Sequence, residues 1–267
     1  MELGLKDRVA IVTGGSKGIG KAIAKSLAEE GVNVVICARG RESLLSVQKE
    51  IADSGGSIYA IPVEATKPES VQNLINSVVE KFGQIDILIN NLGGTDKFGD
   101  FFELKHDDWK MAFELNVMTI VYFVQYSIPW LRKSTAPRII NISSISGLQP
   151  GSYNPHYTIT KAAVINLSKY LSNQLVKDNI LVNVVCPGPV HSDSWDRNVQ
   201  RLADIHNISI EEARVKIDTE ESVKIPLGRV GEGKDVAELV TFLSSNKASW
   251  ITGSCFHVNG GKLYTIL

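Results

Sequence analysis

Cysteine, excess charge of one sign and long apolar runs are all scarce in this chain of 267 residues. Its three cysteines, Cys37, Cys186 and Cys255, are too few and too scattered for a disulfide framework or a zinc site, which favours a reducing cytoplasmic compartment. Lys+Arg number 28 against Asp+Glu 29, so the net charge is −1 and we expect neither nucleic acid nor anionic membrane as a partner. Hydrophobic residues at 43% exclude a disordered chain.

Membrane and secretion signals are also missing from the sequence. The N-terminus lacks the charged, apolar and small-residue succession of a signal peptide. The longest uncharged run, Leu115–Leu131, contains Asn116 and Pro129 and is shorter than the roughly 20 apolar residues that a membrane span needs. We therefore expect a buried or subunit-facing helix here.

Short β-branched runs alternate with helical patterns along the whole chain. The expected strands are Val9–Thr13, Asn33–Cys37, Ser57–Val63, Ile85–Asn90, Arg138–Ile142, Leu181–Cys186 and Ser254–Val258. The expected helices are Ile19–Glu30, Lys67–Phe82, His106–Lys133, Asn154–Val176 and Lys234–Ser245. Nearly continuous Val/Ile runs are typical of parallel strands covered on both faces. The alternation predicts an α/β Rossmann fold, a doubly wound parallel seven-stranded sheet with helices on both faces, in one domain spanning residues 1–267.

One segment, about 191–231, interrupts this alternation. It is polar, contains Trp195 and has a helical pattern over Ile210–Lys216. A long excursion after a strand of a parallel sheet is typical of a ligand lid. Trp195 could line a substrate pocket or pin the lid helix, and the sequence does not decide between these roles.

The loop Thr13–Gly20, with sequence TGGSKGIG, joins the first strand to the first helix. Its glycines allow a tight turn and close backbone approach, and the following helix presents free N–H groups to an anion. Glycines alone could mark an ordinary turn, but a strand before and a helix after favour a dinucleotide pyrophosphate site.

Arg39 follows the second strand, where NAD-binding proteins carry an acidic residue for the adenosine ribose. An arginine matches a 2′-phosphate instead, and Lys17 could add a second positive charge. The alternative is that Arg39 and Arg41 are ordinary solvated cations. This pattern favours NADP(H) as cofactor.

Tyr157 and Lys161 lie one helical turn apart, and Ser144 precedes Tyr157 by thirteen residues at the end of a strand. With the other motifs, this chain resembles the compact, single-domain short-chain dehydrogenases/reductases over essentially its whole length. The matching motifs are TGGSKGIG at Thr13–Gly20, NNLGG at Asn90–Gly94, Asn116-Val117, NISS at Asn141–Ser144, YTITK at Tyr157–Lys161 and PGPVHS at Pro187–Ser192.

The resemblance implies a catalytic tetrad of Asn116, Ser144, Tyr157 and Lys161. Tyr157 would be the general acid, its pKa lowered toward neutrality by the Lys161 ammonium and the nicotinamide charge. Ser144 would stabilise the substrate oxygen, and Lys161 would also hold the nicotinamide ribose. Asn116 would anchor a relay water, or else be a buried polar residue that is satisfied locally.

The resemblance also implies a set of cofactor contacts: Gly14, Ser16, Lys17, Gly18, Ile19, Gly20, Arg39, Glu64, Asn91, Gly93, Tyr157, Lys161, Pro187, Gly188, Val190 and Ser192. Three positions depart from the family pattern. Glu64 replaces an Asp that touches the adenine amine, and Leu92 replaces an Ala beside the adenine ribose. Ser192 replaces a Thr and keeps its hydroxyl. The histidines show no metal-ligand spacing, so no metal is expected.

We therefore predict an NADPH-dependent reductase of ketones, aldehydes or 3-oxoacyl thioesters, similar to bacterial 3-oxoacyl carrier-protein reductases. The alternatives are a sugar or polyol dehydrogenase of the same family and a non-catalytic scaffold that senses dinucleotides. The family resemblance and the uncharged helix together predict a homotetramer or homodimer that acts on a small carbonyl or alcohol.

Overall fold

The computed structural model describes residues 2–151 and 153–264. Within these ranges the strands form one seven-stranded sheet in the order β3-β2-β1-β4-β5-β6-β7, and every adjacent pair is parallel. The strands are β1 Val9–Thr13, β2 Asn33–Ala38, β3 Ile58–Pro62, β4 Ile87–Asn90, β5 Arg138–Ile142, β6 Leu181–Pro187 and β7 Cys255–Val258. The predicted doubly wound α/β sheet is confirmed, with strand ends shifted by one or two residues.

The helices agree with the sequence pattern except at three places. They are α1 Gly18–Glu29, α2 Arg41–Asp53, α3 Pro68–Phe82, α4 His106–Phe113, α5 Thr119–Leu131, α6 Pro155–Leu175, α7 Asp193–His206, α8 Ile210–Ser222 and α9 Gly233–Ser244. Sequence reasoning missed α2 and α7, and it ended α8 six residues too early. Both helices do carry buried residues at helical spacing, Leu44, Val47 and Ile51 in α2 and Trp195, Val199 and Ala203 in α7, so this periodicity was overlooked among their many charged residues.

Two apolar clusters cover the two faces of the sheet. Helices α1, α2 and α9 pack on one face, with Ile23, Leu44 and Val240 among their fully buried residues. Helices α3, α5 and α6 pack on the other face, where Phe123 and Val164 are buried. Because both faces are covered, the exposed carboxyl ends of the strands are left as the place for a ligand.

A single turn of π-helix, Glu114–Met118, joins α4 to α5, so one continuous helix runs through His106–Leu131. By length and composition alone this helix could cross a membrane, and 44% of its most apolar window is buried inside the protein. A buried core helix gives the same signal, and this one packs against α3, α6 and β4. The π-turn holds Asn116, and such turns occur often at functional sites.

The predicted lid is a small layer of its own, built from α7 and α8. Trp195, Val199 and Ile225 are buried in an apolar cluster within it. An isolated parallel bridge between Val190 and Gly231 ties the two ends of the lid together. The lid therefore leaves the sheet after β6 and returns beside the same point before α9.

Candidate active site

A cleft of about 1310 Å³ lies along the carboxyl ends of β1, β2, β4, β5 and β6, beneath the lid. It is lined by every predicted site residue except Asn116: Gly14, Ser16, Lys17, Gly18, Ile19, Gly20, Arg39, Glu64, Asn91, Gly93, Ser144, Tyr157, Lys161, Pro187, Gly188, Val190 and Ser192. Residues from distant parts of the sequence thus meet in one place. Asn116 is fully buried behind the cleft wall.

The glycine loop after β1 has the geometry that its sequence predicts. Gly14 and Gly18 have φ values of 67° and 51°, in the left-handed region that favours glycine. A side chain at Gly20 would collide with the Gly14 carbonyl oxygen, so only glycine lets α1 begin this close to the loop. The N-cap residue of α1, Lys17, makes no side-chain capping bond, which leaves N–H groups of the first turn for an anion. This cradle fits a pyrophosphate.

Thr13 and Asn91 fix the position of this loop against β4. The Thr13 hydroxyl accepts hydrogen bonds from the backbone N–H groups of Asn91 and Leu92, each at 2.9 Å. The Asn91 side-chain amide donates to the carbonyl oxygens of Thr13 at 2.9 Å and Gly14 at 3.3 Å. Asn91 thus holds the glycine loop in place through its side-chain hydrogen bonds.

Arg39 lies exposed at the end of β2, on the rim of the cleft beyond the glycine loop. Lys17 is oriented differently from the sequence expectation, because its Nζ pairs with Asp193 Oδ1 of the lid at 3.0 Å. The charge of Lys17 is therefore partly compensated, and Arg39 remains the stronger candidate for a 2′-phosphate. Glu64 lines the same end of the cleft and accepts a hydrogen bond from the Thr66 hydroxyl at 3.0 Å.

Ser144, Tyr157 and Lys161 converge where β5 ends and α6 begins. The Lys161 ammonium is buried, lies 5.7 Å from the Tyr157 ring centroid and donates to the Ile142 carbonyl oxygen at 3.0 Å. A second contact fixes this helix against the strand, because the Ser143 hydroxyl donates to the Lys161 carbonyl oxygen at 2.7 Å. The chain therefore holds the lysine rigidly beside the phenol.

Glycine at position 147 makes this approach possible. A Cβ at Gly147 would lie 2.6 Å from the Lys161 carbonyl carbon, closer than side chains allow. The loop after β5 can therefore rest directly on α6. That contact places the Ser144 hydroxyl, which also caps the next turn by accepting from the Ser146 N–H at 3.1 Å, beside Tyr157.

In the chain without a cofactor, the pKa of Tyr157 shifts upward, opposite to the direction expected from the sequence. Burial raises the pKa of Tyr157, and the hydrogen bond with Ser144 opposes this only in part. Burial also lowers the pKa of Lys161 to about 8. The predicted lowering of the Tyr157 pKa is therefore not a property of these side chains by themselves.

Asn116 sits in the π-turn and is held by backbone groups on two sides. Its Nδ2 donates to the Gly94 carbonyl oxygen at 2.9 Å and the Ala112 carbonyl oxygen at 2.8 Å. A Cβ at Gly93 would lie 2.7 Å from Asn116 Oδ1 and 2.9 Å from Lys161 Nζ. Gly93 thus lets the asparagine and the lysine approach the same stretch of loop. Asn116 is thus a buried polar residue whose side chain is hydrogen-bonded to nearby backbone groups, as one of the two sequence-based interpretations expected. Its catalytic role stays a prediction.

Sequence reasoning missed two lid residues, Asp193 and Arg197, that line the cleft. Their carboxylate and guanidinium form an i,i+4 pair on α7, and the Arg197 guanidinium also donates to Ser194 Oγ at 3.0 Å. The available signal was the helix start, because Ser192 is a good N-cap residue with Asp193 in the first turn.

Trp195 lies between the cleft and the second helix of the predicted lid, and its role toward a substrate stays a prediction. Its side chain is 8% exposed and lines the cleft, and its Nε1–H donates to Asp218 Oδ1 on α8 at 2.8 Å. In residues 2–151 and 153–264, no three His, Cys, Asp or Glu side chains are grouped as a metal site requires.

Comparisons with known proteins agree with this geometry. A family model described as enoyl-(acyl carrier protein) reductase matches residues 14–262. The chain is 35% identical to the 3-oxoacyl-(acyl-carrier-protein) reductase of Staphylococcus epidermidis, over 96% of this chain and 98% of that protein. It is also 35% identical to the same reductase of Aquifex aeolicus, over 98% and 99% of the two chains.

The chain is also similar to solved structures of reductases along its whole length. The crystal structure of L-sorbose reductase from Gluconobacter frateurii, in complex with NADPH and L-sorbose, is 32% identical and aligns over 100% of both chains with a TM-score of 0.93. Actinorhodin polyketide ketoreductase with NADPH is 30% identical, with a TM-score of 0.89 over 97% of this chain and 98% of that one. By fold, motifs and full-length similarity, the chain belongs to the short-chain dehydrogenase/reductase family of oxidoreductases.

Proposed function

We propose that this protein reduces a ketone with NADPH, and that Tyr157, Ser144 and Lys161 carry out the proton chemistry. The convergence of these three side chains at the floor of the cleft is the observation that supports the proposal. The Tyr157 hydroxyl donates a proton to the carbonyl oxygen as negative charge develops there. The Ser144 hydroxyl donates a hydrogen bond to the same oxygen and stabilises that charge.

Lys161 and Asn116 position these groups. The buried Lys161 ammonium stabilises the phenolate that remains after proton donation and offers a hydrogen bond to the nicotinamide ribose. Asn116 fixes the Gly93–Gly94 loop beside Lys161, and from there it can hold a water that returns a proton to Tyr157. A non-catalytic scaffold would not need these groups gathered in one cleft.

NADPH fits the residues along the rest of the cleft and, when bound, supplies the hydride. The N–H groups at the start of α1 and the cradle formed by Gly14, Gly18 and Gly20 suit its pyrophosphate. Arg39 is placed to pair with a 2′-phosphate. Both solved relatives described above were determined with NADPH, which supports the same choice here.

For the substrate we favour a 3-oxoacyl thioester. Apolar side chains line the cleft, among them Leu115, Ile145, Trp195 and Leu263, and they would cover an acyl chain. The curated relatives named above act on 3-oxoacyl groups of this kind, as their names state.

A hydroxylated ketone, such as a ketose, is the second candidate. Gln149, Asn154 and Asn198 also line the cleft, and their amides could bind several hydroxyl groups. The similarity to L-sorbose reductase over the whole chain favours this alternative.

Replacing Tyr157 by Phe tests the catalytic assignment. The ring remains, so folding and NADPH binding should be retained, whereas loss of the proton donor should lower turnover by about 10²–10⁴-fold. Tyr153→Phe is the matched control, because Tyr153 lies just before α6, four residues from Tyr157, and its ring packs beside Arg201. Tyr157→Phe turnover above about a tenth of the wild-type value would refute the mechanism.

A substrate panel separates the two candidate substrates. NADPH oxidation is followed with an acetoacetyl thioester, with ketohexoses and with simple aliphatic ketones. Preference for the thioester in kcat/KM supports the first candidate, and preference for a ketohexose supports the second. Activity with none of them, in protein that binds NADPH, would favour the scaffold alternative.

We further propose one domain over residues 1–267, a lid over about 191–231, a cytoplasmic location and a homotetrameric or homodimeric assembly. Exposed apolar side chains on adjacent helices support the assembly: Met111 and Phe113 on α4 are 60% and 45% exposed, and Ile159 on α6 is 57% exposed. Such side chains on packed neighbouring helices form a face suited to a second copy. Light scattering at micromolar concentration that returned the mass of a single 29.2 kDa chain would contradict this assembly.

A further inference from the structure

Cys186 on β6 and Cys255 on β7 are brought together by the fold, although 69 residues separate them. The parallel register pairs Cys186 with His257, so Cys255 lies one two-residue step along the neighbouring strand and on the same face. Their Sγ atoms are 3.5 Å apart. A disulfide bond of about 2.05 Å would need the sulfurs to approach by roughly 1.5 Å, and because diagonal strand neighbours lie about 7–8 Å apart at Cα, the edge strand β7 must move as well.

The two thiols differ in exposure and in acidity. Cys186 is fully buried, whereas Cys255 is exposed on the edge strand. A hydrogen bond from Cys186 lowers the pKa of Cys255, and His257 lowers it further, while the same hydrogen bond and burial raise the pKa of Cys186. The pair thus combines an accessible thiol of thiolate character with a buried neighbour that stays protonated.

Cys186 also contacts the groups that form the catalytic floor. The Ser143 hydroxyl and the Ser144 backbone N–H lie beside its sulfur, and both oppose the rise in the pKa of Cys186. Ser143 in turn donates to the Lys161 carbonyl oxygen at 2.7 Å. Movement of the Cys186 sulfur toward β7 would therefore weaken contacts that hold Ser144 and Lys161 in place.

We propose that Cys255 and Cys186 form a hydroperoxide-sensitive dithiol, in which Cys255 is the reacting thiol and Cys186 the resolving one. The Cys255 sulfur attacks the outer oxygen of the hydroperoxide, the O–O bond breaks, and Cys255 becomes a sulfenic acid while the peroxide leaves as an alcohol or water. The Cys186 sulfur then attacks the Cys255 sulfur, the S–O bond breaks and water leaves. Two thiols are oxidised to one disulfide, and one hydroperoxide is reduced.

Formation of the disulfide would affect catalysis indirectly, by moving Cys186 away from the residues that position Ser144 and Lys161, and not by contact with the substrate. The disulfide withdraws Cys186 from Ser143 and Ser144, so the oxyanion donor and the lysine lose a support. Turnover should fall in proportion to the fraction of oxidised protein, and a dithiol reductant should restore it.

Mass spectrometry of the intact, assembled protein tests the proposal. After treatment with hydrogen peroxide, the wild type should lose the mass of two hydrogen atoms, and its digest should contain a peptide linking Cys186 to Cys255. Cys255→Ser should keep the basal turnover and show neither the crosslink nor the inactivation. Cys37→Ala is the matched control, because Cys37 is buried and its pKa is raised to about 12 by burial, and it should behave as the wild type.

Several results would overturn the inference. They are an unchanged mass at excess peroxide, a stable sulfinic acid on Cys255 without a crosslink, a disulfide between two copies of the chain, and undiminished inactivation in Cys255→Ser. The mass measurement does not depend on knowing the substrate. The modification could therefore be refuted while the reductase assignment stands, and the reverse also holds.

Discussion

Asn116 and Gly94 hold each other through a reciprocal pair of hydrogen bonds. The Gly94 N–H donates to Asn116 Oδ1 at 2.8 Å, and Asn116 Nδ2 donates back to the Gly94 carbonyl oxygen at 2.9 Å. This pair joins the π-turn in the long helix to the loop after β4. The asparagine therefore shapes the cleft wall whether or not it also holds a water.

Asn116→Ala should consequently reduce stability as well as activity. It leaves the half-buried Gly94 N–H and carbonyl oxygen without the fully buried side chain that pairs with them, and an unsatisfied buried group costs about 1–3 kcal/mol. We expect urea denaturation to show a loss of this size, together with lower turnover. Asn73→Ala is the control, because Asn73 is exposed on α3, away from the cleft. An Asn116→Ala protein with wild-type stability and lower turnover would indicate a purely catalytic asparagine.

Arg39→Ala should weaken NADPH binding by about tenfold or more and leave NADH binding unchanged. The reason is that a charge-assisted contact to the 2′-phosphate exists only with NADPH. Fluorescence titration of both cofactors measures the effect, and Arg41→Ala, also exposed at the start of α2, is the matched control. Unchanged NADPH binding in Arg39→Ala would mean that Arg39 is an ordinary surface cation.

Much of the fold was predictable because the sheet is buried on both faces. Parallel strands in that setting need continuous apolar residues, as in β1, where all five residues are buried. The missed helices, α2 and α7, are buried on one side only, so they do not need continuous apolar residues. The buried residues of α7, Trp195, Val199 and Ala203, do recur every fourth residue, but the segment around them is so polar that it was taken for a loop.

The site was predictable wherever one motif determines its own local geometry. The glycine loop and the Tyr157–Lys161 turn are of this kind, since each depends on residues adjacent in sequence. Partners far apart in sequence were not predictable. Neither the pairing of Lys17 with Asp193 nor the approach of Cys186 to Cys255 follows from spacing, because both depend on how the lid and β7 dock.

Lys161 should make the stability of the cofactor-free protein depend on pH. Its pKa is about 8 in the folded chain, against an ordinary value of 10.5, so between these values the unfolded chain binds more protons than the folded one. The penalty for burying the ammonium is complete below pH 8 and is relieved as pH rises. The free energy of unfolding should therefore increase by up to about 1.4 kcal/mol per pH unit in this window.

Urea denaturation of the wild type and of Lys161→Met measures this effect. Methionine keeps a similar volume without a charge, so the difference between the two proteins removes the contributions of other titrating groups. Measurements should stop near pH 9.5, because the raised pKa of Tyr157 acts in the opposite direction above its ordinary value. A difference that stays constant from about pH 7.5 to 9.5 would mean that Lys161 is not desolvated.

His191 should make the lid looser as pH rises through neutrality. Its Nδ1 lies 2.7 Å from Glu232 Oε1 and its Nε2 lies 3.2 Å from Asp218 Oδ2 on α8. Burial opposes its charge, but these hydrogen bonds outweigh burial and raise the pKa of His191. The stabilisation is complete below the ordinary value near 6.5 and is lost as pH passes the raised folded value. Hydrogen exchange in α8, corrected for intrinsic rates, should therefore show less protection at about pH 8.5 than at about pH 6.

His191→Gln should abolish this pH dependence, whereas His206→Gln on α7 should keep it. Equal protection of α8 in the wild type at both pH values would show that His191 does not hold the lid.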